Sequence, residues 1–249
     1  MMSWMSVAEG VTANAVFVAL TIGIGTVSLV LRRRALLRFW GLREVKKIRF
    51  YISHLKITQG GALDASGTPR SYQGSVVTQI ESEMGGLLKS LFYATVPGRA
   101  VQPGWIQALL FVSADVEVQP APGQVQQIDQ EGTVVSLGSP GYNVVSGAIE
   151  TNCNSPVKFA QDNASIQLPG NLMITNPRQS VVVRLFSGGR YWFYAAGLSE
   201  VGTAAAAYYL AKSWKRLDRR YRKSPSFFVA LECSGNDYRN TRVFSEAAL

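Results

Sequence analysis

The chain has 249 residues, of which 47% are hydrophobic, and its formal net charge is +9. This apolar content is enough for a packed core and excludes a disordered chain, and the length allows one large or two small domains. The charge is concentrated, because residues 32–49 hold eight Lys or Arg and residues 212–223 hold seven, whereas the rest of the chain is mildly acidic. A nucleic-acid-binding protein usually has an extended basic face with aromatic residues between the charges, and two short clusters differ from this pattern. Nucleic acid is therefore disfavoured as a partner.

The first basic cluster follows an uncharged apolar run over residues 11–31, which is 21 residues long. That length suffices to cross about 30 Å of hydrocarbon as a helix. No Lys or Arg precedes the run, which disfavours a cleaved signal peptide. With Arg32, Arg33 and Arg34 behind it, the positive-inside rule predicts a single-pass protein of the cell membrane with its N-terminus outside. The predicted organisation is a short extracytoplasmic segment (1–10), a transmembrane helix (11–31), a basic juxtamembrane linker (32–47) and a cytoplasmic domain (48–249).

After the membrane, hydrophobic periodicity predicts the elements of the first half of the domain. They are a strand at 48–57, a long polar turn region at 59–70, a helix at 75–92, a Pro- and Gly-rich turn at 97–104, a short apolar helix or turn at 105–111, a strand at 115–119 and a polar connection at 120–132.

Two strand, turn and helix units organise the second half, at 133–150 and 191–210. Between them, short β-type pieces at 157–186 are typical of hairpins, and further strands are predicted at 227–232 and 242–245. The units indicate an α/β, Rossmann-like, doubly wound sheet with an antiparallel β insertion. The insertion either extends the sheet or forms a flap over its edge, and the sequence does not decide between these.

Each unit has a glycine-containing turn before its helix, at 138–143 and at 197–203. Such turns leave backbone N–H groups open at a helix N-terminus, which suits a phosphate or a ribose, although they also serve merely as connections. In one parallel sheet both turns open at the same edge, so we expect one shared cleft into which Ser139, Asn143, Ser199 and Thr203 point. The candidate ligand-binding residues are Gly138, Ser139, Gly141, Asn143, Gly197, Ser199, Gly202 and Thr203.

Cysteine and histidine are scarce, which limits the available chemistry. Cys153 and Cys233 are too few for a disulfide framework and are predicted to be structural thiols. The single histidine, His54, lies in an alternating apolar segment and is interpreted as a strand residue. A zinc site made of Cys and His therefore lacks ligands, and no metal or other cofactor is predicted.

The turn with Gly197, Gly202 and Thr203 resembles the Gly-Thr loop of the lysine-decarboxylase-like nucleotide hydrolases and of the wider nucleotide-sensing group called SLOG. Residues 136–143 are similar to the first phosphate-side loop of that group. The resemblance implies a nucleotide or NAD-derived ligand and a role beside membrane-anchored effectors in bacterial antiviral signalling. Enzymes of the group carry a Glu three residues after the Thr, where this chain has Ala206. This departure puts hydrolysis in doubt and leaves ligand binding open.

An enzymatic alternative, a nucleosidase or NAD glycohydrolase, requires another acid. Cleavage of an N-glycosidic bond needs a carboxylate to stabilise or capture an oxocarbenium-like centre, as in glycoside hydrolysis. Glu200 and Glu81 are the catalytic candidates, and Glu200 has capping of a helix N-terminus as its alternative role. Glu83 and Glu150 are weaker candidates, and Arg70 and Tyr72 in the long polar region could contact phosphate or base.

The second basic cluster, at 212–223, continues the helix of the second unit. Its cations suit a helix C-terminus and anionic lipid headgroups beside a tethered domain. Expected partners are thus membrane lipid and a nucleotide-type small molecule, with assembly into a homo-oligomer left open. A third class of function, a membrane-anchored interaction module without a ligand, also fits the sequence.

Overall fold

The computed structural model describes residues 4–42, 45–53, 55–63, 69–76, 79–92 and 114–249. The predictions for His54 and for residues 97–111 lie outside the described residues, as do the proposed contacts of the Arg70 and Tyr72 side chains.

The described helices are α1 (Trp4–Phe39), α2 (Gln79–Ser90), α3 (Val144–Asn152) and α4 (Glu200–Arg220), with a 3-10 turn at Val125–Gln127. α4 is capped by Ser199, whose side chain accepts a hydrogen bond from the Gly202 amide, and it continues through an alanine-rich stretch of high helix propensity. Two arginines in its last turn match the negative end of the helix dipole. Within the part of the chain that the structure describes, no helix combines the length and the apolar character of a membrane span.

The strands belong to one large sheet and two small ones. They are β1 (Lys47–Ile52), β2 (Leu55–Leu63), β3 (Pro69–Val76), β4 (Asp115–Pro120), β5 (Thr133–Leu137), β6 (Lys158–Phe159), β7 (Ile166–Leu168), β8 (Leu172–Ile174), β9 (Gln179–Ser187), β10 (Arg190–Gly197), β11 (Phe227–Cys233) and β12 (Thr241–Ala248). The seven-stranded sheet has the order β12-β11-β9-β10-β5-β1-β4. β10, β5, β1 and β4 pair in parallel, whereas β9, β11 and β12 pair antiparallel, so the predicted α/β class is confirmed.

The strand order reverses between β1 and β5, which are hydrogen-bonded neighbours. The chain leaves β1 toward β4 on one side, and it leaves β5 toward β10 on the other. Connections that depart in opposite directions leave a crevice outside the carboxyl ends of the two strands, where ligands bind in open α/β sheets.

The sheet has an apolar core on each face. The last turn of α1, together with α2 and α4, covers one face, where Phe50, Val135 and Phe193 are buried. α3 and the three-stranded sheet β6-β7-β8 cover the other, where Val134 and Tyr194 are buried. Because both faces are covered, all five residues of β5 are buried, and the strand lacks the apolar and polar alternation of a half-exposed strand.

The segment predicted as a juxtamembrane linker is part of the domain. Leu36, Phe39, Trp40 and Leu42 are buried in the core that α4 also lines. The Thr133 hydroxyl, at the start of β5, donates a hydrogen bond of 2.6 Å to the Trp40 carbonyl. The last turn of α1 and the residues after it are therefore packed into the domain, at the edge where the parallel strands begin.

Two further differences concern the segment before α2 and the segment after α3. The polar region predicted as a turn at 59–70 contributes to a hairpin, β2 and β3, and α2 begins only at Gln79. Its glycines and polar residues lack apolar alternation, and the register shifts between Gln59 and Ala62, so periodicity could not reveal it. Of the insertion at 157–186, β9 extends the large sheet, whereas β6, β7 and β8 form a separate sheet.

Candidate functional site

A cleft of about 500 Å³ lies at the carboxyl edge of the parallel strands, at the reversal of strand order. It is bounded by the ends of β1, β5 and β10 and by the starts of α2 and α4. The lining residues are Ser53, Glu81, Ser139, Tyr142, Asp162, Asn163, Gly197, Leu198, Ser199, Glu200 and Thr203.

The structure brings the two glycine turns together at this edge. β5 and β10 are parallel neighbours, and the Gly138 amide donates a 3.0 Å hydrogen bond to the Ala195 carbonyl. Of the eight residues predicted to bind a ligand, four line the cleft, namely Ser139, Gly197, Ser199 and Thr203. Of the other four, Gly141 and Asn143 line a neighbouring hollow of about 360 Å³, and Gly138 and Gly202 do not belong to the described lining of the cleft.

Gly138 is required by the close approach of β1 and β5. Its φ is +112°, a conformation that other residues rarely adopt, and a Cβ atom there would lie 2.0 Å from Ser53 Oγ. That hydroxyl donates to the Leu137 carbonyl at 3.2 Å. The glycine thus lets the ends of the two strands meet at the floor of the cleft.

The sequence predicts that Asn143 faces the ligand, but both ends of its side-chain amide bond to backbone groups inside the protein. Nδ2 donates to the Tyr51 carbonyl at 3.1 Å and to the Leu137 carbonyl at 2.8 Å. Oδ1 accepts from the Val145 amide at 3.0 Å, which makes Asn143 the N-cap of α3. The side chain therefore clamps β1 to β5, and an asparagine directly before an apolar helix is the sequence signal for the cap.

Gly197 and Gly202 allow the end of β10 to touch the first turn of α4. A Cβ atom on Gly197 would lie 2.5 Å from the Gly202 carbonyl carbon. The Thr203 hydroxyl accepts from the Gly197 amide at 3.1 Å, and the Ser199 hydroxyl donates to the Pro177 carbonyl at 2.6 Å. The Gly-Thr pattern thus has a packing role here, and the amides of Gly202 and Thr203 already donate to the hydroxyl and the carbonyl of Ser199.

Glu81 is the most unusual side chain of the cleft, since it is charged at neutral pH in solution yet only 6% exposed. Its Oε2 accepts a 2.9 Å hydrogen bond from the Ser53 amide. Burial raises the pKa of the Glu81 carboxyl, the nearby charge of Glu200 adds to that rise, and the hydrogen bonds from Ser53 oppose it. Glu81 consequently keeps a proton more readily than an exposed glutamate does.

The described lining of the cleft is acidic and rich in hydroxyl groups. It contains the carboxyl groups of Glu81, Asp162 and Glu200, and none of its described residues is Lys, Arg or His. Hydroxyl groups come from Ser53, Ser139, Tyr142, Ser199 and Thr203. Carboxylates accept hydrogen bonds and repel anions, so the lining suits a ligand with several hydroxyl donors better than a bare phosphate.

The small sheet contributes one wall of the cleft. The turn between β6 and β7 carries Asp162 and Asn163 into the lining. Asn163 has a φ of +56°, which asparagine tolerates, and its Oδ1 accepts a 3.1 Å hydrogen bond from the Gly141 amide. Part of the insertion therefore does cover the sheet edge, which was one of the two predicted alternatives.

The weaker acidic candidates lie outside the cleft. Glu83 is exposed on α2 and pairs with Gln79 at 3.0 Å. Glu150 of α3 accepts a 3.1 Å hydrogen bond from the Phe159 amide, and burial raises its pKa to about 7. The thiols of Cys153 and Cys233 are free, and among the described residues no group of three His, Cys, Asp or Glu could hold a metal ion.

Comparisons of the chain with protein-family models, with curated proteins and with solved structures find no match. The resemblance of the Gly197 turn to the lysine-decarboxylase-like group thus stays a prediction.

Proposed function

We propose that this protein is a membrane-anchored, cytoplasm-facing sensor that binds a nucleoside-type ligand, such as a nucleotide or an NAD-derived molecule, through its ribose. The observation that carries the proposal is the buried carboxyl of Glu81 beside Glu200, in a cleft at the strand-order reversal. This is where Rossmann-like, doubly wound domains bind nucleosides, and an acidic residue there commonly accepts hydrogen bonds from the ribose hydroxyls.

The lining supports the sugar as the part of the ligand that is held most tightly. A ribose presents two neighbouring hydroxyl donors, which match the two oxygens of a carboxylate. Phosphate groups would be repelled by Glu81, Asp162 and Glu200, so a nucleotide would bind with its phosphates directed out of the cleft toward solvent. Tyr142 is 58% exposed at the rim, where its ring could stack on a base.

Membrane anchoring is supported by the apolar run at 11–31, which lies within α1. Phe17, Leu20 and Ile24 of this run are 71%, 59% and 70% exposed. Large apolar side chains exposed along one helix call for an apolar environment, which a bilayer provides. The resemblance to sensors that accompany membrane effectors agrees with a signalling role in bacterial defence.

Thermal denaturation of the full chain in detergent, with a panel of ribonucleosides, nucleotides and NAD derivatives, tests the ligand proposal. We expect at least one ribose-containing compound to raise the melting temperature, and the rise to disappear in Glu81→Gln but not in Glu83→Gln. No response to the whole panel would contradict ligand binding.

The anchoring proposal has its own test, which does not depend on the ligand. A reporter fused to the C-terminus should be cytoplasmic, and the protein should stay with membranes at high pH. Replacing Arg32, Arg33 and Arg34 by glutamine should weaken this orientation. A C-terminus found outside the cell would contradict the proposed topology.

A second candidate function is hydrolysis of an N-glycosidic bond, and the raised pKa of Glu81 beside a second carboxyl favours it. Glycosidic cleavage uses one carboxyl group as a proton donor and another to stabilise or capture the oxocarbenium-like centre. The environments of the two groups keep the first protonated and the second ionised. We assign the first role to Glu81, whose pKa is raised, and the second to Glu200. Release of base or nicotinamide that is lost in Glu81→Gln and Glu200→Gln, yet kept in Glu83→Gln, would establish it.

A further inference from the structure

A second concave surface lies at the other end of α4 from the cleft, and ligand binding does not explain it. It is shallow and lined by four basic residues, Arg219, Arg220, Arg222 and Lys223. The side chains of Arg220 and Arg222 are 54% and 58% exposed. We call these four residues the basic end of α4.

The basic end of α4 keeps most of its positive charge. Among the described residues, Glu246 and Asp218 are the carboxylates within ion-pair distance, at 3.2 Å from Arg220 and 4.0 Å from Arg222. Both carboxylates are shared, since Asp218 also pairs with Arg38 and Glu246 also pairs with Arg216. The surface therefore remains attractive to anions.

Its position relative to α1 is fixed by side-chain contacts. The guanidinium of Arg38 forms a two-pronged hydrogen-bonded ion pair with the carboxylate of Asp218, which joins the last turn of α1 to the last turns of α4. Arg184 strengthens this junction, because its guanidinium donates to the carbonyls of Ser224 at 2.9 Å and of Phe39 at 3.4 Å. The basic end thus lies beside the point where α1 enters the domain, a few residues beyond the apolar run.

The cleft lies at the opposite end of the same helix. α4 has 21 residues and begins at Glu200, which lines the cleft. At 1.5 Å per residue, the helix separates the cleft from the basic end by about 30 Å. The end of α1 lies at the edge of the sheet where the parallel strands begin. The cleft lies at the opposite edge, where these strands end.

We propose that the basic end of α4 rests on anionic lipid headgroups, so that the domain stands on the bilayer with its cleft open to the cytoplasm. The inference rests on the membrane anchoring in the proposed function, which brings this surface to the headgroup layer. Clustered Lys and Arg next to a membrane helix are attracted by anionic lipids and lose that attraction at high salt. RNA is the competing polyanion, and the experiment below separates it from lipid.

Hydrogen exchange of the full chain in nanodiscs tests the proposal. We expect the amides of residues 219–226 to exchange several-fold more slowly in discs of phosphatidylcholine with 30% phosphatidylserine than in pure phosphatidylcholine, and 0.5 M salt to remove the difference. Protection should be lost in the triple variant R219Q/R222Q/K223Q. The matched control K158Q/R178Q/R239Q removes the same charge from other exposed positions and should keep the protection.

Each other outcome overturns the inference. Equal exchange in both kinds of disc, or equal loss in the two triple variants, would show that the basic end makes no specific headgroup contact. Protection by added RNA but not by phosphatidylserine would assign the surface to nucleic acid. Flotation with pure phosphatidylcholine vesicles measures anchoring by α1 separately, so a failure of anchoring is distinguished from a failure of headgroup contact.

Discussion

The backbone amide of Ser53 donates a 2.9 Å hydrogen bond to the carboxylate of Glu81, which lies on the first turn of α2. This contact fixes a buried carboxyl group at the end of β1, beside the reversal of strand order. The Ser53 hydroxyl meanwhile reaches the end of β5 through the Leu137 carbonyl at 3.2 Å. One residue thus connects the proposed sugar-binding group with both strands whose divergence opens the cleft.

Glu81→Gln should abolish or weaken ligand binding without unfolding the protein. The glutamine keeps an oxygen for the Ser53 amide, but it loses the charge that attracts hydroxyl donors, and we expect an affinity loss of about tenfold or more. Glu83→Gln, on the exposed side of the same helix, is the matched control and should bind normally. Calorimetric titration measures both, and equal affinities for the two variants would remove Glu81 from the site.

Gly197→Ala should destabilise the fold by about 3 kcal/mol, because the added Cβ would lie 2.5 Å from the backbone of Gly202, which has no room to move away. Gly86→Ala is the control, since Gly86 is an exposed helical residue with nothing within 4 Å of its Cβ position. It should stabilise the protein by about 0.5–1 kcal/mol, and denaturant unfolding compares the two.

Asn143→Asp and Asn143→Ala distinguish the clamp between β1 and β5 from the cap of α3. Asp keeps the oxygen that caps the helix, but it loses both donors and places a carboxylate beside two buried carbonyl oxygens. We expect both variants to lose about 2–3 kcal/mol of unfolding free energy. An Asp variant as stable as the natural protein would mean that the capping hydrogen bond alone matters.

The sequence predicted the parallel core well because its strands are buried on both faces and its helices have clear starts. β5 and β10 are mostly apolar and buried, and each is followed by a capped helix, at Asn143 and at Ser199. These local features also predicted correctly that the turns meet at one edge, because parallel strands share their carboxyl edge.

The details of the cleft depend on contacts between distant residues, which local pattern does not encode. The sequence pattern predicts ligand contacts at Asn143 and Ser199, although their side chains bond to backbone groups of the protein. The burial of Glu81 depends on packing α2 across the end of β1, 28 residues earlier in the chain. The wall formed by Asp162 likewise depends on how the small sheet folds back.

Glu150→Gln should change how stability depends on pH. Burial raises the pKa of Glu150 to about 7 in the folded protein, so the folded state binds this proton more tightly than the unfolded state does. The stabilisation is present below the unfolded pKa, near 4.5, and is lost as the pH rises through about 7. Thermal denaturation should show that the natural protein loses stability as the pH rises from 5 to 8. In Glu150→Gln this loss should be smaller by about 1–2 kcal/mol, a figure that allows for the partial exposure of Glu150.

Glu83→Gln again provides the control. Glu83 is exposed, so this substitution should leave the dependence of stability on pH unchanged. The raised pKa of Glu81 acts in the same direction, so Glu150→Gln should reduce the decline without removing it. A profile identical to that of the natural protein would show that Glu150 ionises normally.

The central claim is that the cleft recognises a ribose and disfavours phosphate, and calorimetry with matched ligands tests it most directly. The full chain is titrated with the ribonucleoside that raises its melting temperature most, with the 2′,3′-dideoxy form of that nucleoside, and with its 5′-triphosphate. We predict measurable binding of the ribonucleoside, at least tenfold weaker binding of the dideoxy form, and no tighter binding of the triphosphate. Equal affinity for the ribonucleoside and the dideoxy form, or tighter binding of the triphosphate that persists in Glu81→Gln, would contradict the account.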